Sequence, residues 1–134
     1  MPGTKPKILK KVSILLGFIS IINMTLLGIH IVNYCLAFSF LSQKLLTEAI
    51  IVGFTTTISV GLTSFGSYSI HKDHYLRGGL CNIIAGTITA GTYIHYTLDF
   101  PILQQFGLLG YILLVPAPMS GIIAIIISKA KIAY

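Results

Sequence analysis

Four long runs without Asp, Glu, Lys or Arg dominate this chain of 134 residues. They cover approximately residues 12–32, 49–69, 80–98 and 106–128. A helix needs about 20 predominantly apolar residues to cross the hydrocarbon core of a bilayer. Because the runs are continuous rather than alternating in polarity, they favour helices over the strands of a barrel. The sequence therefore predicts an all-α integral membrane protein, a single domain built as a four-transmembrane-helix antiparallel bundle.

The composition favours lipid as the solvent and counts against several classes of protein. Charged residues make up only 9% of the chain and hydrophobic residues 54%, whereas about a quarter of the residues in soluble domains are charged. A soluble enzyme, a nucleic-acid-binding module and a disordered linker are therefore not expected. Lysines next to the spans, which anionic headgroups attract, explain the net charge of +6. We expect the lipid bilayer as a partner and no nucleic acid.

The basic residues predict the orientation of the bundle. If the chain crosses the membrane four times, only Lys44 of the nine basic residues falls on the outer side. By the positive-inside rule, the side that carries the other eight is cytoplasmic, so both termini are expected there. An Ile-rich composition with more Lys than Arg favours a prokaryotic cell membrane. The eight residues are Lys5, Lys7, Lys10, Lys11, Lys72, Arg77, Lys129 and Lys131.

The segment 33–47 after the first span has two interpretations. It is apolar and contains Tyr34, Phe38 and Phe40. It is either an extension of the first helix beyond the bilayer or an outer interfacial segment, and its aromatic residues suit both arrangements.

Small residues recur at helical spacing in all four spans. Transmembrane helices associate where small residues let their backbones approach, and hydrogen bonds between helices add to this. Residues 80–98 carry two such rows, which could serve one interface within the chain and one with another chain. Helix packing is therefore predicted at Gly17, Asn23, Gly53, Gly61, Gly86, Gly91, Gly110 and Gly121.

Two prolines lie in the middle of the fourth span. Pro116 and Pro118 lack the N–H group that a helix interior needs, so the carbonyls of Ile112 and Leu114 lose their helical donors. A helix break is predicted here. Broken helices present free carbonyls to substrates in some transporters, but a packing kink explains the same residues.

Two histidines and one carboxylate are the candidates for binding a metal or haem. His30 and His95 are expected at similar depth in the outer half of the bundle, and Asp99 lies four residues after His95 on the same helical face. Such groups could ligate a transition metal, and two facing histidines could ligate haem. The competing hypothesis is that both histidines form structural hydrogen bonds across the bundle. We predict no cofactor and keep haem or a transition metal as the alternative.

The residues that enzymes and coupled transporters need are missing from the spans. No acidic or basic residue lies in a span core, which counts against a proton-driven exporter. No nucleophile–base pair or phosphate-binding glycine loop is present either, so no catalytic residue is predicted. The sequence favours a non-catalytic accessory subunit of a larger membrane complex, such as a respiratory oxidoreductase or a membrane-bound monooxygenase. One alternative is a small homo-oligomeric transporter or channel with a polar second helix and a fourth helix broken by proline. The other is a haem- or metal-binding redox carrier that uses His30 and His95.

Overall fold

The computed structural model describes residues 4–99 and 107–132, and the side chains of 4–96 and 109–131. Throughout these ranges the chain is helical apart from short turns. This confirms the predicted all-α class. The first helix, α1, comprises Thr4–Ala37 and is followed by a 3₁₀ turn at Ser39–Leu41. The remaining helices are α2 (Gln43–His71), α3 (Tyr75–Asp99), α4 (Gly107–Leu114) and α5 (Pro116–Ile132).

The helices form an antiparallel bundle in which each neighbour in sequence is a neighbour in space. Helix α1 packs against α2 and α5, and α3 also packs against α2 and α5, so α1 and α3 lie diagonally opposite. Gly17 of α1 lies against Ser67 of α2, whereas Gly28 lies against Thr56. The second pair is further along α1 and earlier in α2, which shows that the two helices run in opposite directions.

Three helices are long and apolar enough to cross a membrane. Within the described residues they are Thr4–Ala37, Gln43–His71 and Leu109–Lys131. Helix α3 has 25 residues, but it is not among them because glycine, threonine, tyrosine, asparagine and histidine dilute its apolar residues. Residues 80–98, predicted as the third span, therefore lie in a helix that is less apolar than the other three. Part of its polar surface, including Asn82 and Thr89, is buried in the bundle.

The chain takes a short path between α1 and α2. Within the segment 33–47, α1 continues to Ala37, one 3₁₀ turn follows, and α2 has begun by Gln43. The Ser42 side chain accepts a hydrogen bond from the backbone N–H of Lys44 and so caps α2. Phe40 is 79% exposed at this turn, which leaves an apolar tip at this end of the bundle.

The basic residues gather at the other end. The start of α1, the link between α2 and α3, and the end of α5 meet there, since Lys10 and Lys131 both approach Asp73. We call this the basic end. Lys44 lies in the first turn of α2 at the opposite end. The structure thus gathers at one end the residues from which the sequence predicts the cytoplasmic side.

Both cysteines are free. Cys35 is buried near the end of α1, and Cys81 is half-buried in α3.

Candidate functional site

A network of serine and asparagine side chains ties three helices together in the half of the bundle near the basic end. Ser13 Oγ of α1 donates to the Ser120 carbonyl of α5 over 2.8 Å, and Ser120 Oγ donates back to the Ser13 carbonyl over 2.7 Å. Asn82 Nδ2 of α3 donates to Ser120 Oγ over 2.9 Å. All three side chains are completely buried. Because both hydroxyl protons are used in these bonds, the network is suited to cross-linking helices rather than to nucleophilic chemistry.

A small cavity lies among the described residues in the interior of the bundle. Ser59 lines a cavity of about 10 Å³ between α1, α2 and α3, together with Met24 and Tyr93. That volume is close to the smallest that accommodates a single water molecule. The buried hydroxyls of α2, which suggested a transport pathway from the sequence, therefore face a packed interior within one chain.

The helix that contains Pro116 and Pro118 is interrupted at Val115. Helix α4 ends at Leu114, Val115 forms a turn, and α5 begins at Pro116. Asn23 Nδ2 of α1 donates to the Leu113 carbonyl over 3.1 Å. The Ile112 carbonyl, whose helical donor is lost at Pro116, accepts instead from the Val115 N–H over 3.3 Å. Neighbouring groups can satisfy freed carbonyls in this way at a proline kink.

Four of the predicted packing glycines lie at close helix contacts. A Cβ atom added at Gly86 would lie 2.8 Å from Pro118 Cδ, and one at Gly121 would lie 2.5 Å from the Gly79 carbonyl oxygen. Gly17 lies against Ser67, and Gly110 against the ring and hydroxyl of Tyr93. At these positions the absence of a side chain lets two helices of the same chain approach.

The other three predicted packing glycines have different surroundings. At Gly53 the nearest atom to an added Cβ is Val32 Cγ2 at 4.0 Å. At Gly61 and Gly91 no described atom outside the local backbone lies within 4 Å, and both residues are exposed. Gly61 and Gly91 thus lie outside the contacts between helices of this chain, because the side of each helix that packs is the opposite one.

These two glycines belong to rows of small and polar residues on the outer surface. On α2, Thr57 and Ser64 are exposed on the same face as Gly61. On α3, Thr87 and His95 are exposed with Gly91. We call these rows the α2 outer row and the α3 outer row. The parallel row of α3, which contains Asn82, Gly86 and Ala90, faces the interior.

The structure does not bring the two candidate histidines together. His30 on α1 and His95 on α3 are both exposed, and their helices lie diagonally opposite. The His95 ring packs edge-on against Tyr96, with the ring centroids 5.3 Å apart. The Asp99 side chain lies outside the described residues. Among the side chains that the structure describes, no group of three or more His, Cys, Asp or Glu could hold a metal ion.

Sequence reasoning missed a charged cluster at the basic end. Asp73 Oδ1 accepts hydrogen bonds from Lys10 Nζ at 2.9 Å and from the Tyr75 hydroxyl at 2.5 Å, and Lys131 Nζ lies 3.9 Å away. The hydrogen bond from Tyr75, followed by that from Lys10, lowers the pKa of Asp73 to about 2. Burial and the hydrogen bond to Asp73 raise the pKa of Tyr75 to about 12. The cluster joins α1, the α2–α3 link and α5.

A second contact that sequence reasoning missed lies at the opposite end. The Tyr96 hydroxyl of α3 donates to the Glu48 carboxylate of α2 and lies 3.2 Å from the Glu48 carbonyl oxygen. Tyr96 is almost completely buried. Both missed contacts join residues far apart in sequence, 63 positions for Lys10 and Asp73 and 48 for Glu48 and Tyr96. A local pattern gives no signal for such pairs.

Comparison with known proteins adds no relationship from which a site could be transferred. No protein-family model matches the chain, and neither the curated proteins nor the solved structures include a match. The functional conclusion therefore depends on the geometry described above.

Proposed function

We propose that this chain is a non-catalytic accessory subunit of a larger integral-membrane complex, with both termini in the cytoplasm. Its role is to add a rigid helical bundle against which larger subunits pack. The observation that carries this proposal is the pair of outer rows, since Gly61 and Gly91 present bare backbone at the surface.

The membrane location is supported by the surface and by the charge distribution. Large apolar side chains cover the outside of the bundle, including Phe54 at 68%, Leu26 at 62% and Ile50 at 67% exposure. Soluble monomers rarely expose contiguous apolar surface on this scale. The gathering of basic residues at one end is typical of a cytoplasmic boundary.

The outer rows are suited to contact with another membrane helix. In lipid the hydrophobic effect gives helices little reason to associate, so they pack where small residues permit close approach. The hydroxyls of Thr57 and Ser64 donate to the carbonyls of Gly53 and Val60 in their own helix. Such side chains are compatible with lipid or with a partner helix, and Gly61 between them leaves room for a partner backbone.

A homo-oligomeric transporter or channel is the second candidate. The same α2 outer row favours it, because Thr57 and Ser64 would line a pathway if several copies assembled around α2. Because the cavity beside Ser59 has a volume of only about 10 Å³, we place such a pathway between copies.

The test is native purification in a mild detergent followed by mass spectrometry of the proteins that co-purify. We expect larger membrane proteins in stoichiometric amounts. A homo-oligomer without other proteins would favour the transporter, and a monomer would contradict both candidates.

Variants of the outer rows make the test specific. Gly61→Leu and Gly91→Leu should remove the partners while the chain still inserts and remains helical. Leu26→Phe adds bulk to the exposed face of α1 and serves as the matched control, for which co-purification should be unchanged. If both glycine variants retain the partners, the outer rows are not the interface.

A further inference from the structure

A groove runs along the outer surface between α1 and α2 near the basic end. Its volume is about 420 Å³. Three apolar side chains of α1 form one wall, and α2 supplies an aromatic ring, two serines and an imidazole. The residues are Ile14, Phe18 and Ile21 on α1, and Ser64, Ser67, Tyr68 and His71 on α2. The groove is thus apolar along its length and polar towards the basic end.

Positive charge surrounds the polar end of the groove. Lys72 Nζ lies 5.8 Å from the centroid of the Tyr68 ring, which places the ammonium group beside the groove wall. Lys7 and Lys11 precede Ile14 by seven and three residues, spacings that put them on the same face of α1. The chain has three acidic residues. The one at this end, Asp73, forms an ion pair with Lys10, so it is not positioned to neutralise the lysines beside the groove.

The floor of the groove contains a buried hydroxyl. Ser67 lines the groove and is 5% exposed. Its Oγ has no hydrogen-bond partner among the described residues. Buried polar atoms in proteins nearly always have a partner. The Ser67 Oγ lies against Gly17 of α1 beneath the groove, so it does not contribute to binding a ligand there.

We propose that this groove binds one anionic phospholipid. The phosphate lies at His71 and Lys72, with Lys7 and Lys11 nearby, and an acyl chain lies along the apolar wall formed by α1. Basic pockets between transmembrane helices on the cytoplasmic side bind headgroups of this kind. The inference rests on the membrane insertion proposed above, but it does not depend on whether partner subunits exist.

The test uses the purified full-length chain in detergent, to which phosphatidylglycerol or phosphatidylcholine is added at equal concentration. Native mass spectrometry counts the lipids retained per chain. We expect one retained phosphatidylglycerol and weaker retention of phosphatidylcholine. Lys72→Gln should weaken phosphatidylglycerol binding about fivefold, the effect of removing one cation near an anionic headgroup. Phe18→Ala, which removes part of the apolar wall without changing the charge and lies outside both outer rows, should also weaken the retention.

Lys129→Gln is the matched control, because it removes the same charge at the same end but outside the groove, and it should bind as the wild type does. Equal retention of the two lipids by the wild type would overturn the proposal. So would unchanged binding in Phe18→Ala, or a second copy of the chain occupying the groove. Carbonate extraction of cell membranes separates these results from a failure of membrane insertion, since a chain that is not inserted would be released.

Discussion

The close contact between α3 and α5 gives the sharpest prediction about stability. Gly79 and Gly121 face each other, and a Cβ added at Gly121 would lie 2.5 Å from the Gly79 carbonyl oxygen and 2.6 Å from Ile83 Cγ1. Ordinary contact begins at 3.4 Å, so Gly121→Ala would force the helices about 0.9 Å apart (3.4 minus 2.5). Because the atom met is backbone, no side-chain rotation relieves the overlap. Overpacking of this kind costs about 1–3 kcal/mol.

Gly91→Ala is the matched control for Gly121→Ala. Each change gains about 0.8–1.0 kcal/mol of helix propensity, and no described atom outside the local backbone lies within 4 Å of a Cβ at Gly91. The propensity gain cancels in the comparison, so the difference between the two variants should equal the overpacking cost of about 1–3 kcal/mol. Unfolding by dodecyl sulfate in mixed micelles, followed by far-ultraviolet circular dichroism on the monomeric chain, measures it. Equal stability of the two variants would refute the assignment of Gly121 to the interior and Gly91 to the surface.

Three further predictions concern the charged cluster, the helix break and the topology. Asp73 has a lowered pKa, so its contribution to stability should be complete above pH 4 and decline as the pH falls towards 2. In Asp73→Asn, where asparagine tolerates the positive φ of 67°, thermal melting measured at different pH values should lack this decline. If the variant loses stability in acid just as the wild type does, the cluster does not have this role. Asn23→Leu removes the donor to the Leu113 carbonyl and should cost about 0.6–1.7 kcal/mol in the same dodecyl sulfate assay, whereas no loss would mean that another donor satisfies the break. Ser42→Cys in the exposed turn should react with a membrane-impermeant maleimide on intact cells and Lys131→Cys should not; the reverse pattern would invert the proposed orientation.

Much of the helical architecture could be predicted from residue type alone. Long apolar runs form helices because an unsatisfied backbone in lipid is costly, and this needs no knowledge of neighbours. The break before Pro116 was equally predictable, since proline lacks an N–H group wherever it lies. The residue pattern also separated the two rows of α3, although it gave no indication of which row faces inward.

The faces and partners of the helices were decided by the tertiary structure. In α2 the predicted row contains Gly61, but the buried face is the one with Ser59 and Thr63. Both faces are rich in small and hydroxyl residues, so composition cannot distinguish them. In the same way, His30 and His95 could have faced each other at equal depth, but both lie on exposed outer faces of their helices.

The sequence by itself determined the helices, the break and which residues are basic, because each follows from local backbone chemistry and from the cost of charge in an apolar medium. Only the tertiary structure decided that Asp73 joins three parts of the chain, that Ser13 and Ser120 exchange hydrogen bonds, and that Gly91 lies on the surface. These features depend on the rotation of each helix about its axis and on which helices are adjacent. Both are set by the sum of many small packing contacts, and no single stretch of sequence contains that sum.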